Sequence, residues 1–251
     1  MKIISFIRKI MGIRWVHKFN QPLVWFLRFL QRIFAPETCW EIDHCNIVRK
    51  MGFEDSFNTK SSIDKNGNPI PWFSYPAIEF LKEMNFSDCS VFEYGSGNST
   101  FWWAEQARKV TAVEHDKKWY MQLQEKLSGN ATVLFCENDI AYSAALTEMY
   151  DVIIIDGLWR DLCAVEALKH IKNDGIIILD DSQRVQSLEE YKKTLEVLRA
   201  DTRFIQIDFF GFCPIAPCTK VTTLFISRAR VMKYKETYVP AYGIGNIQEN
   251  E

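Results

Sequence analysis

Two uninterrupted apolar runs, Val152–Ile155 and Ile176–Leu179, constrain this chain more than any other feature. Neither alternates with polar residues, so a strand built from either must be covered on both faces. Such strands belong in a parallel sheet with helices packed on each side. The surrounding pattern agrees. It predicts strands at 90–94, 110–114, 132–136, 151–156 and 175–180, separated by helices near 98–107, 116–128, 140–148 and 160–171. A helix near 76–85 precedes the first strand, and one at 187–199 follows the fifth. The end of the pattern differs. Phe204–Phe210 and Val221–Ser227 are joined by the short loop Gly211–Lys220 with no helix between them, so they should close the sheet as an antiparallel pair. The reading is an α/β, doubly wound, mostly parallel sheet.

The 251 residues carry 47% apolar and 25% charged side chains, a balance that suits a globular chain and excludes a disordered one. A net charge of −2 excludes a general nucleic-acid binder. That average hides an asymmetry. Residues 1–34 hold seven Lys and Arg and no acid, which leaves 23 basic against 32 acidic residues downstream. Ile3, Phe6, Ile7, Ile10 and Met11 share one helical face, and Pro22 opens a second helical stretch to 34 with Arg28 and Arg32 on one side. Such a basic amphipathic extension suits an anionic membrane surface; packing on the body or on a second copy is the alternative. No run is long and apolar enough for a transmembrane helix, and the Ile3–Ile7 stretch is too short for a secretory signal. Seven scattered cysteines without a CxxC pair point to a reducing compartment. The expected location is the cytoplasm, with residues 1–34 reaching the inner face of the membrane. The expected organisation is this extension (1–34), a helix and loop cover (35–75), a core (76–230) and a tail (231–251). Within the cover, the turn formers between 52 and 72 read as a loop.

Chemistry concentrates at the ends of the strands. In Val91–Thr100 a strand runs into a helix through Gly95-Ser96-Gly97, where missing Cβ atoms permit a sharp turn and close approach to a ligand. A dinucleotide fingerprint would need a third glycine at position 100, which is Thr100. Glu114 ends the second strand, 21 residues after Glu93, where a carboxylate can accept from both hydroxyls of a ribose. Asp139 follows the third strand, on the side where an adenine would lie. A purely structural glycine turn is the bland alternative.

With those residues in view, 76–228 resembles the class I S-adenosylmethionine-dependent methyltransferases. Glu93-Tyr94-Gly95-Ser96-Gly97 matches that family's ExGxG motif, Glu114 its ribose-binding acid and Asp139 its adenine-side acid. The terminal hairpin matches its reversed last strand. The resemblance implies a seven-stranded sheet in order 3-2-1-4-5-7-6 and S-adenosylmethionine as cofactor. It covers about 60% of the chain and specifies the cofactor far better than the acceptor.

A second constellation follows the fourth and fifth strands. Asp156, Asp180 and Asp181 end neighbouring strands, so they should converge beside the donor methyl. Asp156 and Asp181 are the candidate catalytic residues. All three resemble the metal set of catechol-type O-methyltransferases, with a second acid where that group has asparagine, and are candidate Mg²⁺ ligands. Without a metal, one of them is a candidate general base; helix capping is the structural alternative. Trp72 and Tyr75 are candidates to stack on an acceptor, and Arg160 and Arg184 to bind an acidic group on it. The reading is methyl transfer to a hydroxyl of a sugar or other small-molecule or lipid-linked glycan acceptor. Its rivals are a nicotinamide-dependent oxidoreductase and an inert membrane-associated binding protein.

Overall fold

The computed structural model describes residues 50–127, 129–236 and 238. The amphipathic helices expected in 1–34, the boundary at 34–35, the cover as far as 49 and two thirds of the tail lie outside these residues. Met51–Pro240 form a compact unit. The chain order is α1 (Phe53–Thr59), α2 (Tyr75–Glu83), β1 (Ser90–Tyr94), α3 (Asn98–Gln106), β2 (Lys109–Glu114), α4 (Lys117–Gln124), β3 (Ala131–Phe135) and α5 (Asp139–Ser143). It continues with β4 (Tyr150–Ile155), α6 (Arg160–His170), β5 (Ile171–Leu179), a 3₁₀ turn (Ser182–Gln186), α7 (Glu189–Ala200), β6 (Phe204–Phe212) and β7 (Thr219–Ser227).

The seven strands form one sheet in the order β3-β2-β1-β4-β5-β7-β6, as the sequence implied. The first five pair in parallel, and β7 is antiparallel to both β5 and β6. The two apolar runs are buried on both faces. Val152, Ile154, Ile176 and Ile178 pack with Val91, Val110 and the inner faces of α2 and α3, through Ala77, Leu81, Trp102 and Trp103. Ile153, Ile155, Ile177 and Leu179 point the other way, against Tyr142 of α5, Ala164 and Ala167 of α6 and Leu195 of α7. Each of these isoleucines contributes about 1.5–3 kcal/mol by leaving water. That burial on both sides is why no polar residue interrupts the runs.

The expected loop at 52–72 needs correcting. Residues 53–59 form α1, where Phe53 and Phe57 stack one turn apart with ring centroids 6.0 Å from each other. The turn formers act further on: Asp64 Oδ1 accepts from the amides of Asn66 and Asn68, closing a tight turn. The helix expected at 140–148 is shorter, Asp139–Ser143, and β5 begins at Ile171 instead of Gly175.

Candidate active site

Strand register builds the site. Val113, Tyr94, Ile155 and Leu179 stand in one row across β2, β1, β4 and β5. The next residue of each strand is Glu114, Gly95, Asp156 and Asp180. Three amides continue the ladder past the strand ends: Gly95 N to Val113 O, Asp156 N to Tyr94 O and Asp180 N to Ile155 O. The row opens on a cavity of about 580 Å³, whose wall includes Gly95, Ser96, Glu114, Asp156, Asp181 and Lys220. That is the size range of small-ligand sites.

Gly95 has φ 93°, in the left-handed region, and a Cβ there would lie 3.3 Å from the Gly157 backbone. Gly97 is different. Its φ of 172° is extended backbone that any residue adopts, so the expected need for glycine's freedom holds at Gly95 only. Thr100, where a dinucleotide turn has glycine, locks the turn. Its hydroxyl donates to Glu93 Oε2 and accepts from Gly97 N. Glu93 is buried beneath the loop. Burial pushes its pKa up to about 8, although hydrogen bonds from Ser99 and Thr100 pull the other way.

Glu114 is buried at the end of β2. Its Oε1 accepts from the amides of His115 and Asp116, and its Oε2 from the Ser96 hydroxyl. These bonds fix the carboxylate at the cavity wall, in reach of the Gly95 loop. Asp139 does not join them. It is exposed at the start of α5, accepts from Ile140 N and is not part of the cavity wall. One turn on, Tyr142 reaches back, and its ring lies 5.3 Å from that of Trp159.

The acids after β4 and β5 converge as expected, but they are already paired with cations. Asp156 Oδ1 accepts from Arg160 at 3.1 Å, and a quarter of the Asp156 side chain remains open. Burial raises the Asp156 pKa, and Arg160 and Lys220 oppose the rise. Asp180 is buried, with Oδ1 accepting from Thr222 Oγ1 and Oδ2 from Lys220 Nζ. Asp181, in the left-handed region at φ 56°, pairs with Lys220 at 3.0 Å and with half-exposed Arg184 at 3.2 Å. Burial alone would push the Lys220 ammonium down, but Asp180, Asp156 and Asp181 outweigh it and hold it above the usual lysine range.

Three expectations therefore change. A Mg²⁺ ion does not fit Asp156, Asp180 and Asp181, because Lys220 and Thr222 already hold the Asp180 oxygens and Lys220 holds Asp181 Oδ1. Among the described residues no group of three or more His, Cys, Asp or Glu side chains is arranged to hold a metal. Arg160 is buried, and its guanidinium donates to the carbonyls of Gly157, Ile155, Asp180 and Asp156 and to the Asp156 carboxylate. No N–H is left for an acceptor, so Arg160 positions the loop after β4. Tyr75 is also buried in the core beneath α2 and lines no part of the cavity, whereas Trp72 and Arg184 do line it.

Lys220 was not among the site residues expected from the sequence, and Ser96 entered only as a place in the glycine motif. The signal for Lys220 was present in the hairpin. Register places Leu179 opposite Thr223, which puts Asp180 opposite Thr222, and Lys220 shares the Thr222 side of β7.

No family model matches the chain, and no curated protein matches it in sequence. Solved structures do match. A putative O-methyltransferase from Klebsiella pneumoniae aligns at 16% identity and a TM-score of 0.50, over 80% of this chain and 95% of that one. A spermidine synthase from Thermotoga maritima aligns at 17% identity and a TM-score of 0.45, over 57% of this chain and 54% of that one. This chain thus spans about half the length of that synthase. A precorrin-6y C5,15-methyltransferase from Geobacter metallireducens aligns at 12% identity and 0.47, over 61% and 87%. Together with the 3-2-1-4-5-7-6 sheet and its reversed last strand, the likeness to the Klebsiella protein gives this chain the Rossmann-like α/β fold of the class I methyltransferases.

Proposed function

We propose that this chain transfers a methyl group from S-adenosylmethionine to a hydroxyl of a small-molecule or lipid-linked glycan acceptor. The observation that carries the reading is the row Glu114, Gly95, Asp156 and Asp180, which sets a ribose-type acid, a glycine turn and a carboxylate cluster along one cavity. The residues present fit the cofactor. The Gly95 turn leaves room that a Cβ would take from Gly157, Glu114 faces ribose hydroxyls, and the acids favour a cation. S-adenosylmethionine supplies an electrophilic methyl on a sulfonium. Everything else is positioning and proton removal.

In this reading Asp156 is the general base. Arg160 takes only its Oδ1, the side chain opens partly to the cavity, and its raised pKa makes it a stronger proton acceptor than a surface carboxylate. Asp181, held by Lys220 and Arg184, orients the acceptor from the neighbouring strand, with Trp72 and Arg184 beside it. Calorimetry with S-adenosylmethionine, S-adenosylhomocysteine and NAD tests the cofactor. Tight NAD binding, or no binding of either adenosyl ligand, overturns the reading. Labelled donor incubated with a cell extract, followed by mass spectrometry, identifies the acceptor.

Glu114→Ala should weaken donor binding by about 1–3 kcal/mol, since hydrogen bonds to a charged group are lost. The same calorimetry on the folded variant checks it; an unchanged Kd removes Glu114 from the ribose site. The seven basic residues of 1–34 are proposed to bring the enzyme to anionic membranes, where a lipid-linked acceptor would be made. Deleting 1–34 should abolish flotation with anionic vesicles and leave donor affinity intact. Equal flotation of the two forms, or none by either, disposes of the anchor.

A further inference from the structure

Among Asp156, Asp180 and Asp181 the structure seats an ammonium group. We infer that Lys220 is the resident cation of this site, taking the place that a divalent ion would fill and tethering Trp72 at the cavity wall, so that the site operates without a metal. The inference rests on the methyl-transfer reading for its purpose and on the packing for its substance.

The three hydrogens of Lys220 Nζ have three acceptors: Asp180 Oδ2, Asp181 Oδ1 at 3.0 Å and the carbonyl of Trp72 at 2.6 Å. The carboxylate lone pairs are the ones a metal would need. Mg²⁺ demands short, near-octahedral oxygen contacts, and the second Asp180 oxygen is committed to Thr222. Admitting an ion would leave a buried ammonium with the Trp72 carbonyl in place of three acceptors, which is far costlier than leaving it in place.

Charge points the same way. Asp156, Asp180 and Asp181 face two buried cations, Arg160 and Lys220, and Asp181 also meets half-exposed Arg184, so the three acids already have their countercharge. A divalent ion added to that group would make it positive and repel a sulfonium. The third bond of Nζ adds a mechanical role. Trp72 precedes α2, its ring centroid lies 5.5 Å from Nζ, and the same segment is held again where Ser74 N donates to Thr222 Oγ1. Lys220 is therefore a positioning residue that joins the acids of β5 to the wall on which an acceptor would rest.

The test removes the ammonium and asks whether a metal takes its seat. Mn²⁺ binding to the full chain, followed by electron paramagnetic resonance, should show no site dependent on Asp156 in the wild type. Lys220→Met should gain one Mn²⁺ per chain, at least about tenfold tighter than any binding by the wild type, because Asp180 and Asp181 then lose the ammonium they share. Adding Asp156→Asn should remove that gain. An Asp156-dependent Mn²⁺ site in the wild type, or no gain in Lys220→Met, overturns the inference. Should Lys220→Met not fold, thermal melts of Lys220→Gln with and without Mn²⁺ decide: stabilisation specific to the variant supports the exchange of one cation for another, and its absence overturns it. Failure of the wild type to bind S-adenosylmethionine would strike the methyl-transfer reading and leave the Mn²⁺ result standing.

Discussion

Replacing Asp156 by asparagine should lower the rate of methyl transfer by about 10²–10⁴-fold, the range for losing a general base. Asparagine keeps the shape, and its Oδ1 can still accept from Arg160, so the loop after β4 should hold its place. Single-turnover transfer and donor calorimetry on the same preparation separate the two roles open to this residue. A fall in rate with donor Kd unchanged marks the base; an equal loss in donor affinity marks a counter-charge for the sulfonium instead. The pH dependence follows from the raised pKa. A base must be ionised, so activity should climb through a single acidic limb lying above the ordinary carboxylate range.

Glu93 should make the fold less stable as the pH rises. Its folded pKa of about 8 exceeds the usual 4.5, so the folded state holds a proton that the unfolded chain releases first. The contribution is fully present below pH 4.5 and lost as pH climbs through 8. Between pH 5 and 8 the loss amounts to about 3 kcal/mol. Glu93→Gln should flatten that slope, and urea melts of both proteins across the interval check it. Parallel slopes would mean that Glu93 is ionised in the fold.

What the sequence disclosed and what it withheld divide along a physical line. The strands were legible because Val152–Ile155 and Ile176–Leu179 are buried on both faces, and a local run of apolar residues records that directly. The Gly95 turn and the Glu114 strand end were legible because each is a short pattern at a fixed offset from its strand. Residues whose partners are distant in the chain were not. Arg160 read as a cation for an acidic group on the acceptor, because only the fold turns its guanidinium inward onto the carbonyls of Ile155, Asp156 and Gly157 and onto that of Asp180, 20 residues away. Tyr75 looked like a stacking ring because aromatic residues near a site read alike whether they face a cavity or the core. Three neighbouring acids suggested a metal, and the ammonium that neutralises them stands 40 residues from Asp180. Only the pairing of β5 with β7 brings them together.

That pairing has a consequence for synthesis. Lys220 joins Asp180 to the Trp72 carbonyl across a separation of 148 residues, and Ser74 meets Thr222 across the same span. As the chain leaves the ribosome, β1 to β5 can pair in order while the acids after β5, Asp180 and Asp181, still lack Lys220. They must remain hydrated until β7 slides between β5 and β6. Docking of that last strand is then the step that dries the site, and long-range pairing of this kind is slow. A nascent chain halted before residue 220 should therefore possess most of its sheet while Asp180 and Asp181 still lack the ammonium that completes the cavity wall.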